Sequence, residues 1–277
     1  MNFVTRCGAA LLAWTLAIAI PAAAGDDPGL RAAIADAHRT PEFAARDGAR
    51  HPYETLTFFG IRPDMTVVEI WPGAGWYTEI LAPYLRDRGR LYAAHFPAEG
   101  GPPYFRELRA DFLGKVAADP GRYDRVVVTE FAPPKAVAIA PPGSADLVLT
   151  FRNVHNWTMR GGGEAGAHAA FAAMYAALKP GGVLGVVDHR LPAERPRTAQ
   201  EDSGYLHEDF VIATAERAGF RLAARSEINA NPRDHADHPG GVWDLPPTLR
   251  GDPAQRERYL AIGESDRMTL KFVKPGR

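Results

Sequence analysis

The strongest constraint on the fold is an alternation that starts at Met65 and runs nearly to the C-terminus. Short runs rich in β-branched residues recur at Thr66–Ile70, Arg90–His95, Arg125–Thr129, Asp146–Phe151 and Val183–Asp188. They have the length and composition of strands buried on both faces. Between them, apolar residues fall at helical spacing. Trp76, Ile80, Leu81, Tyr84 and Leu85 share one face, as do Phe105, Leu108, Phe112 and Val116, and Phe171, Met174, Tyr175 and Leu178. Strand-helix-strand units of this kind close only as right-handed crossovers between parallel strands. A further helix over Leu206–Ala218 and two closing strands, Arg221–Ile228 and Met268–Val273, bring the count to seven. The expectation is an α/β protein with a doubly wound, mostly parallel seven-stranded sheet and helices on both faces.

The remainder of the chain is arranged around this unit. Residues 25–60 read as an N-terminal helical extension interrupted by Pro41 and Pro52. Asn229–Ser265, rich in Pro, Gly, Asp and His, reads as a long loop or lid between the last two strands. "LKPGG" (Leu178 to Gly182) reads as a helix end before the fifth strand. No internal repeat or second domain is evident, so residues 25–277 are expected to form a single domain. Residues 1–24 have the parts of a secretory signal: Arg6, an apolar run from Cys7 to Ile20, and an Ala22-x-Ala24 cleavage site. The run falls short of the roughly 20 residues of a membrane span. Export, to the periplasm in a cell that has one, is therefore expected, with no stable membrane insertion after cleavage. The only cysteine, Cys7, would leave with the signal.

A formal net charge of −1 excludes the broad basic face of a nucleic-acid binder. The locally basic "HRLPAERPR" is explained by a solvated loop.

The first strand leads into "EIWPGAGW". In an open α/β sheet, ligands bind beyond the carboxyl ends of the strands. Gly73 and Gly75 would let backbone approach a ligand, and the helix that follows would aim free N–H groups at it. Glu69, at the strand end, could bind an amine or hydroxyls. The same glycines could instead simply close a strand-helix corner.

"EIWPGAGW" resembles the acidic-x-Gly-x-Gly-x-Gly signature of class I S-adenosylmethionine-dependent methyltransferases, with Glu69, Gly73 and Gly75 matching. "ADLVLTFRNVHNW" and "MYAALKPGGVLGVVDHR" are similar to that family's fourth- and fifth-strand segments. "FRNV" with "LKPGG" resembles its quinone-biosynthesis members, and "AERAGF" the helix end before the sixth strand. The resemblance spans about residues 55–274 and implies a Rossmann-like fold with S-adenosylmethionine as cofactor. It also implies that Glu69 and the Gly73–Gly75 backbone hold the cofactor's methionine end. His95 stands where the family usually has a ribose-binding acid, and Glu130 matches the position that often receives the adenine amine. Trp71 replaces the first glycine, where it could fill part of the pocket or stack on a ligand.

For chemistry, His155 just past the fourth strand and Asp188 just past the fifth should face one crevice, with His155 as general base toward a small-molecule acceptor. The missing Asn-Pro-Pro-aromatic motif leans away from DNA bases. His155, Asp188, His189 and His207 could converge, and "DHADH" (Asp234 to His238) could add ligands. Their spacing matches no metal motif, and no metal is expected. "DHADH" could equally be a polar loop, or a lid touching substrate with Trp243. The main alternative function is an exported, non-catalytic ligand-binding protein that retains the fold.

Overall fold

The computed structural model describes residues 26–159 and 162–276, so the expected signal segment lies outside the described residues. Seven strands form one sheet: β1 Thr66–Ile70, β2 Arg90–His95, β3 Val126–Glu130, β4 Ala145–Phe151, β5 Leu178–His189, β6 Arg221–Ser226 and β7 Arg267–Val273. Their order is β3-β2-β1-β4-β5-β7-β6. β1 through β5 pair in parallel, whereas β7 is antiparallel to both β5 and β6. The sheet is therefore mixed, with a parallel core.

The period-2 geometry of strands explains why both sheet faces are covered. Val68, Ile70, Val148, Leu184 and Val186 enter one apolar cluster; Val67, Leu147, Leu149 and Val187 enter the other. Helices supply the outer layers: α1 Pro28–Ala35, α2 Pro41–Ala44, α3 Asp47–Arg50, α4 Pro52–Phe59, α5 Thr78–Leu85, α6 Pro103–Ala118, α7 Pro120–Tyr123, α8 Val154–Thr158, α9 Gly163–Ala177, α10 Glu208–Arg217 and α11 Arg256–Ile262. The four N-terminal helices are local products of sequence. Asp27 caps α1 by accepting the Leu30 N–H at 2.9 Å, prolines open α1, α2 and α4, and α4 stops at Gly60 with φ +81°. Buried Glu79 ties this extension to the domain by accepting the Thr40 N–H and the Thr40 hydroxyl, and Lys115 of α6 supplies its counter-charge.

Two expectations change. "LKPGG" opens β5 instead of only ending a helix: Leu178 already pairs with Ala145, and the register slips between Ala145 and Leu147, which accommodates the glycines. Residues 229–265 are folded, with 3₁₀ turns at Gly241–Asp244 and Pro253–Gln255 followed by α11. A small core of Leu191, Tyr205, Ala236 and Val242 anchors them. No helix of the described residues is long and apolar enough to cross a membrane.

Candidate functional site

Strand order reverses between β1 and β4, which is where an open α/β sheet forms its ligand crevice. A cavity of about 600 Å³ opens there. Its walls come from the loop after β1 (Trp71, Gly73, Ala74), from Phe96 after β2, and from Tyr104, Phe105 and Leu108 of α6. Arg152, Asn153 and His155 after β4 and His189 of β5 line it, as do Phe43, Arg46 and Arg50 of the extension. Trp243, Pro246, Arg250, Glu264 and Ser265 close it from the 229–265 segment.

The loop after β1 is bent by residues in the left-handed region. Gly73 has φ +59° and Gly75 +88°, where glycine alone is unstrained. A Cβ on Gly73 would meet nothing within 4 Å, so the backbone there faces open space. Trp71 adopts φ +45°, a strained conformation for a bulky residue. Its N–H donates to Ala94 O and its indole N–H to Phe131 O, both at 2.8 Å. The ring packs among Phe96, Phe105, Phe131 and Trp157. The indole therefore turns toward the ends of β2 and β3 and forms the apolar wall of that half of the cavity.

Three residues expected at the cofactor have protein partners. Glu69 is buried, outside the cavity lining, and accepts the Thr78 hydroxyl at 2.6 Å; burial pushes its carboxyl up to about 7. That bond ties the start of α5 to β1. His95 is fully buried. Its Nδ1 accepts the Phe96 N–H at 2.8 Å, so Nε2 carries the proton and donates to Gly73 O at 3.0 Å. The ring clamps the glycine loop, and both of its nitrogens are engaged by backbone. Glu130 is exposed, accepts the Ala98 N–H at 3.0 Å and faces Arg109 at 3.5 Å, outside the lining.

Burial depresses His95 to about 4, with the Gly73 carbonyl partly opposing the shift. The folded value lies below the ordinary 6.5. The stabilisation from the neutral ring is thus complete above about 6.5 and is lost as pH falls through about 4. Glu69 has the opposite sign: its contribution is complete below the free value of 4.5 and is lost as pH rises through about 7. Nitrogen-15 NMR of the imidazoles is expected to find His95 as the neutral Nε2–H tautomer at pH 5. A ring titrating near 6.5 would rule out the clamp.

The chemistry-bearing pair does assemble. Asp188 is fully buried at the end of β5; Oδ2 accepts the Val154 N–H at 2.6 Å, and Oδ1 accepts the His189 N–H at 2.8 Å. Two backbone donors fix the carboxylate, and Oδ1 also takes the His155 Nδ1–H at 2.9 Å. His155 Nε2 is left as an acceptor beside the cavity, in the arrangement that makes imidazole a general base. The His189 ring lies 5.0 Å from it, its Nδ1 bonded to the Ser265 hydroxyl at 2.6 Å. Burial, reinforced by the field of His155, holds His189 well below the usual histidine range. Ligand atoms of His155, Asp188 and His189 lie within 4.8 Å of one another, a spacing that could also take a cation; His207 does not join this group.

Sequence reasoning missed the arginines. Arg46, Arg50 and Arg267 converge on Glu264 at 2.7, 3.2 and 3.0 Å. Burial alone would raise Glu264, but Arg50, Arg267, Arg46 and Arg152 outweigh it and hold the carboxyl at about 2. "DHADH" stays outside the lining: Asp234 bonds His238, Tyr205 and two backbone N–H groups, as a scaffold for the segment that carries Trp243.

No protein-family model and no curated protein sequence matches the chain. Solved structures do. A SAM-dependent methyltransferase from Aquifex aeolicus superposes with TM-score 0.55 at 16% identity, over 83% of this chain and 93% of its own. A candidate sarcosine dimethylglycine methyltransferase from Galdieria sulphuraria gives 0.55 at 11% identity, over 86% and 91%. An arsenic(III) S-adenosylmethionine methyltransferase from Chlamydomonas reinhardtii gives 0.50 at 15%, over 91% and 74%. At such identities the likeness establishes architecture: the chain has the seven-stranded α/β fold of these methyltransferases.

Proposed function

We propose that this protein is an S-adenosylmethionine-dependent methyltransferase that acts on a small-molecule acceptor, and that it works outside the cytoplasm after losing residues 1–24. The observation that carries this reading is one cavity with a glycine-turn backbone on one side and the His155–Asp188 pair on the other.

The cavity residues fit such a cofactor at two of its three parts. The Gly73–Ala74 backbone, open toward the cavity, would hold the methionine end; Trp71, Phe96 and Phe105 offer an aromatic wall to the adenine. The ribose has no carboxylate, because His95 is committed to Gly73 O. When bound, S-adenosylmethionine supplies an electrophilic methyl group. The chain supplies position and a base. Asp188 fixes the His155 tautomer, and Nε2 takes the proton of the acceptor's hydroxyl or amine as its lone pair attacks. The likeness of "FRNV" and "LKPGG" to quinone-biosynthesis methyltransferases supports a small-molecule acceptor within this reading.

The missing ribose hydrogen bond should weaken the cofactor up to about tenfold. Calorimetric titration with S-adenosylmethionine and S-adenosylhomocysteine is expected to give a dissociation constant of roughly tens of micromolar by that scaling. Gly73→Val, which fills the open space and strains a left-handed position, should abolish the heat. A folded protein giving no heat at millimolar ligand would shift the reading to a non-catalytic ligand-binding protein.

A further inference from the structure

The cavity wall beside His189 holds more positive charge than the protein offsets. Arg46, Arg50, Arg152 and Arg250 line it, and Glu264 is the one carboxylate in the lining among the described residues. Arg267, its side chain 3% exposed, stands behind. Glu264 already serves Arg46, Arg50 and Arg267. Arg152 has no side-chain hydrogen bond or ion pair among the described residues, and Nη2 of Arg46 is buried without a partner. Burial and the charge of Arg267 push the Arg152 guanidinium down to about 10, the mark of a cation held with too little counter-charge. Buried charges are ordinarily paired, so an excess aimed into a cavity points to an anion that the protein itself lacks.

Arg152 and Arg267 stand on the far side of the crevice from Phe96, while Arg50 reaches back to the β1 loop, 4.8 Å over the Trp76 ring. Arg152 follows β4, and its N–H donates to Val187 O of β5 at 2.7 Å; Arg267 opens β7. Arg152 and Arg267 thus stand over β4, β5 and β7, Arg46 and Arg50 come in from the N-terminal extension, and the glycine loop and Phe96 stand over β1 and β2. Arg152, Arg267 and Arg50 all act electrostatically on His189, whose ring neighbours His155. An anion seated among them would be next to the base.

We propose that the acceptor carries an anionic group, a carboxylate or phosphate, seated by Arg46, Arg50 and Arg152, with the atom to be methylated turned toward His155. The word acceptor rests on the methyl-transfer reading; the anion seat does not. Guanidinium groups suit this role because their planar donors match carboxylate and phosphate oxygens in pairs. The same chemistry could be offered by the carboxylate of S-adenosylmethionine, and the test must distinguish the two.

The probes are inorganic phosphate and malonate, titrated calorimetrically into the protein in a low-chloride buffer. Both are expected to bind saturably. Arg152→Leu and Arg46→Ala should each weaken binding at least tenfold, and Arg152→Lys should recover part of the loss. Arg152→Leu should melt close to wild type, since the lost attraction to Glu264 is offset by relief of burial and of repulsion from Arg267, so weakened binding cannot be ascribed to unfolding. Repeating the titration with saturating S-adenosylhomocysteine should leave phosphate affinity unchanged within about twofold. Displacement of phosphate by S-adenosylhomocysteine would overturn the proposal and give the arginines to the cofactor. Absence of saturable anion binding in the folded wild type would overturn it outright. If S-adenosylhomocysteine fails to bind while phosphate still saturates, the cofactor reading falls and the anion seat stands.

Discussion

His155→Gln is expected to lower methyl transfer by about 10²–10⁴-fold, the usual contribution of a general base, while leaving the melting temperature nearly unchanged. The ring makes one side-chain hydrogen bond, to Asp188, packs against His189 and Trp243 and borders the cavity, so glutamine of similar reach can replace it without opening a large void. Asp188 keeps its two backbone donors in the variant. What disappears is the acceptor nitrogen at Nε2. The readout is label transfer from methyl-labelled S-adenosylmethionine into a small-molecule extract of the host, with wild type as reference. Unchanged transfer with a markedly lower melting temperature would make His155 a structural residue and leave the site without a base.

The strands were legible because burial on both faces forces uninterrupted apolar, β-branched runs. Thr66–Ile70 and Arg90–His95 agree with the sequence reading residue for residue. β5 begins earlier than expected because Leu178 to Gly182 runs extended alongside Ala145, a pairing that depends on a partner more than thirty residues upstream. The pair His155–Asp188 was also legible, since one follows and the other ends a buried strand, and adjacent parallel strands deliver their carboxyl ends to one crevice.

Side-chain direction within the glycine loop was not legible. Glu69 and His95 end their strands where a ligand contact was expected, yet both turn to neighbouring protein groups, Thr78 and Gly73. Strand position fixes which end of the sheet a residue reaches, and partner geometry decides what its polar atoms then do. The arginines were hidden for a similar reason. Arg46, Arg50, Arg152 and Arg267 come from the helical extension, the turn after β4 and β7, and each taken alone reads as an ordinary surface charge. Only the fold brings them to a single carboxylate.

Removing that carboxylate tests the electrostatics of the whole cavity. In Glu264→Gln the guanidiniums of Arg46, Arg50 and Arg267 lose their shared counter-charge, at positions where the carboxylate side chain is only 8% exposed. Taking one partner from a buried ion pair costs about 3–5 kcal/mol, far more than the loss of an exposed pair. For a domain of this size that corresponds to a fall in melting temperature of roughly 6–20 °C at neutral pH. The pH dependence identifies the cause. The folded carboxyl sits at about 2 against a free value of 4.5, so its stabilisation is complete above about 4.5 and is lost as pH falls through about 2. The gap between wild type and variant should therefore be widest at neutral pH and should close as the solution is acidified toward 2. Added phosphate should narrow the gap at neutral pH, because the variant, with its arginines stripped of their counter-charge, binds the anion more tightly than wild type and gains more from mass action. Thermal melts followed by circular dichroism across this range decide the matter. Equal melting temperatures at pH 7 would mean that solvent already screens the arginines, and that the cavity carries no buried field for a ligand to answer.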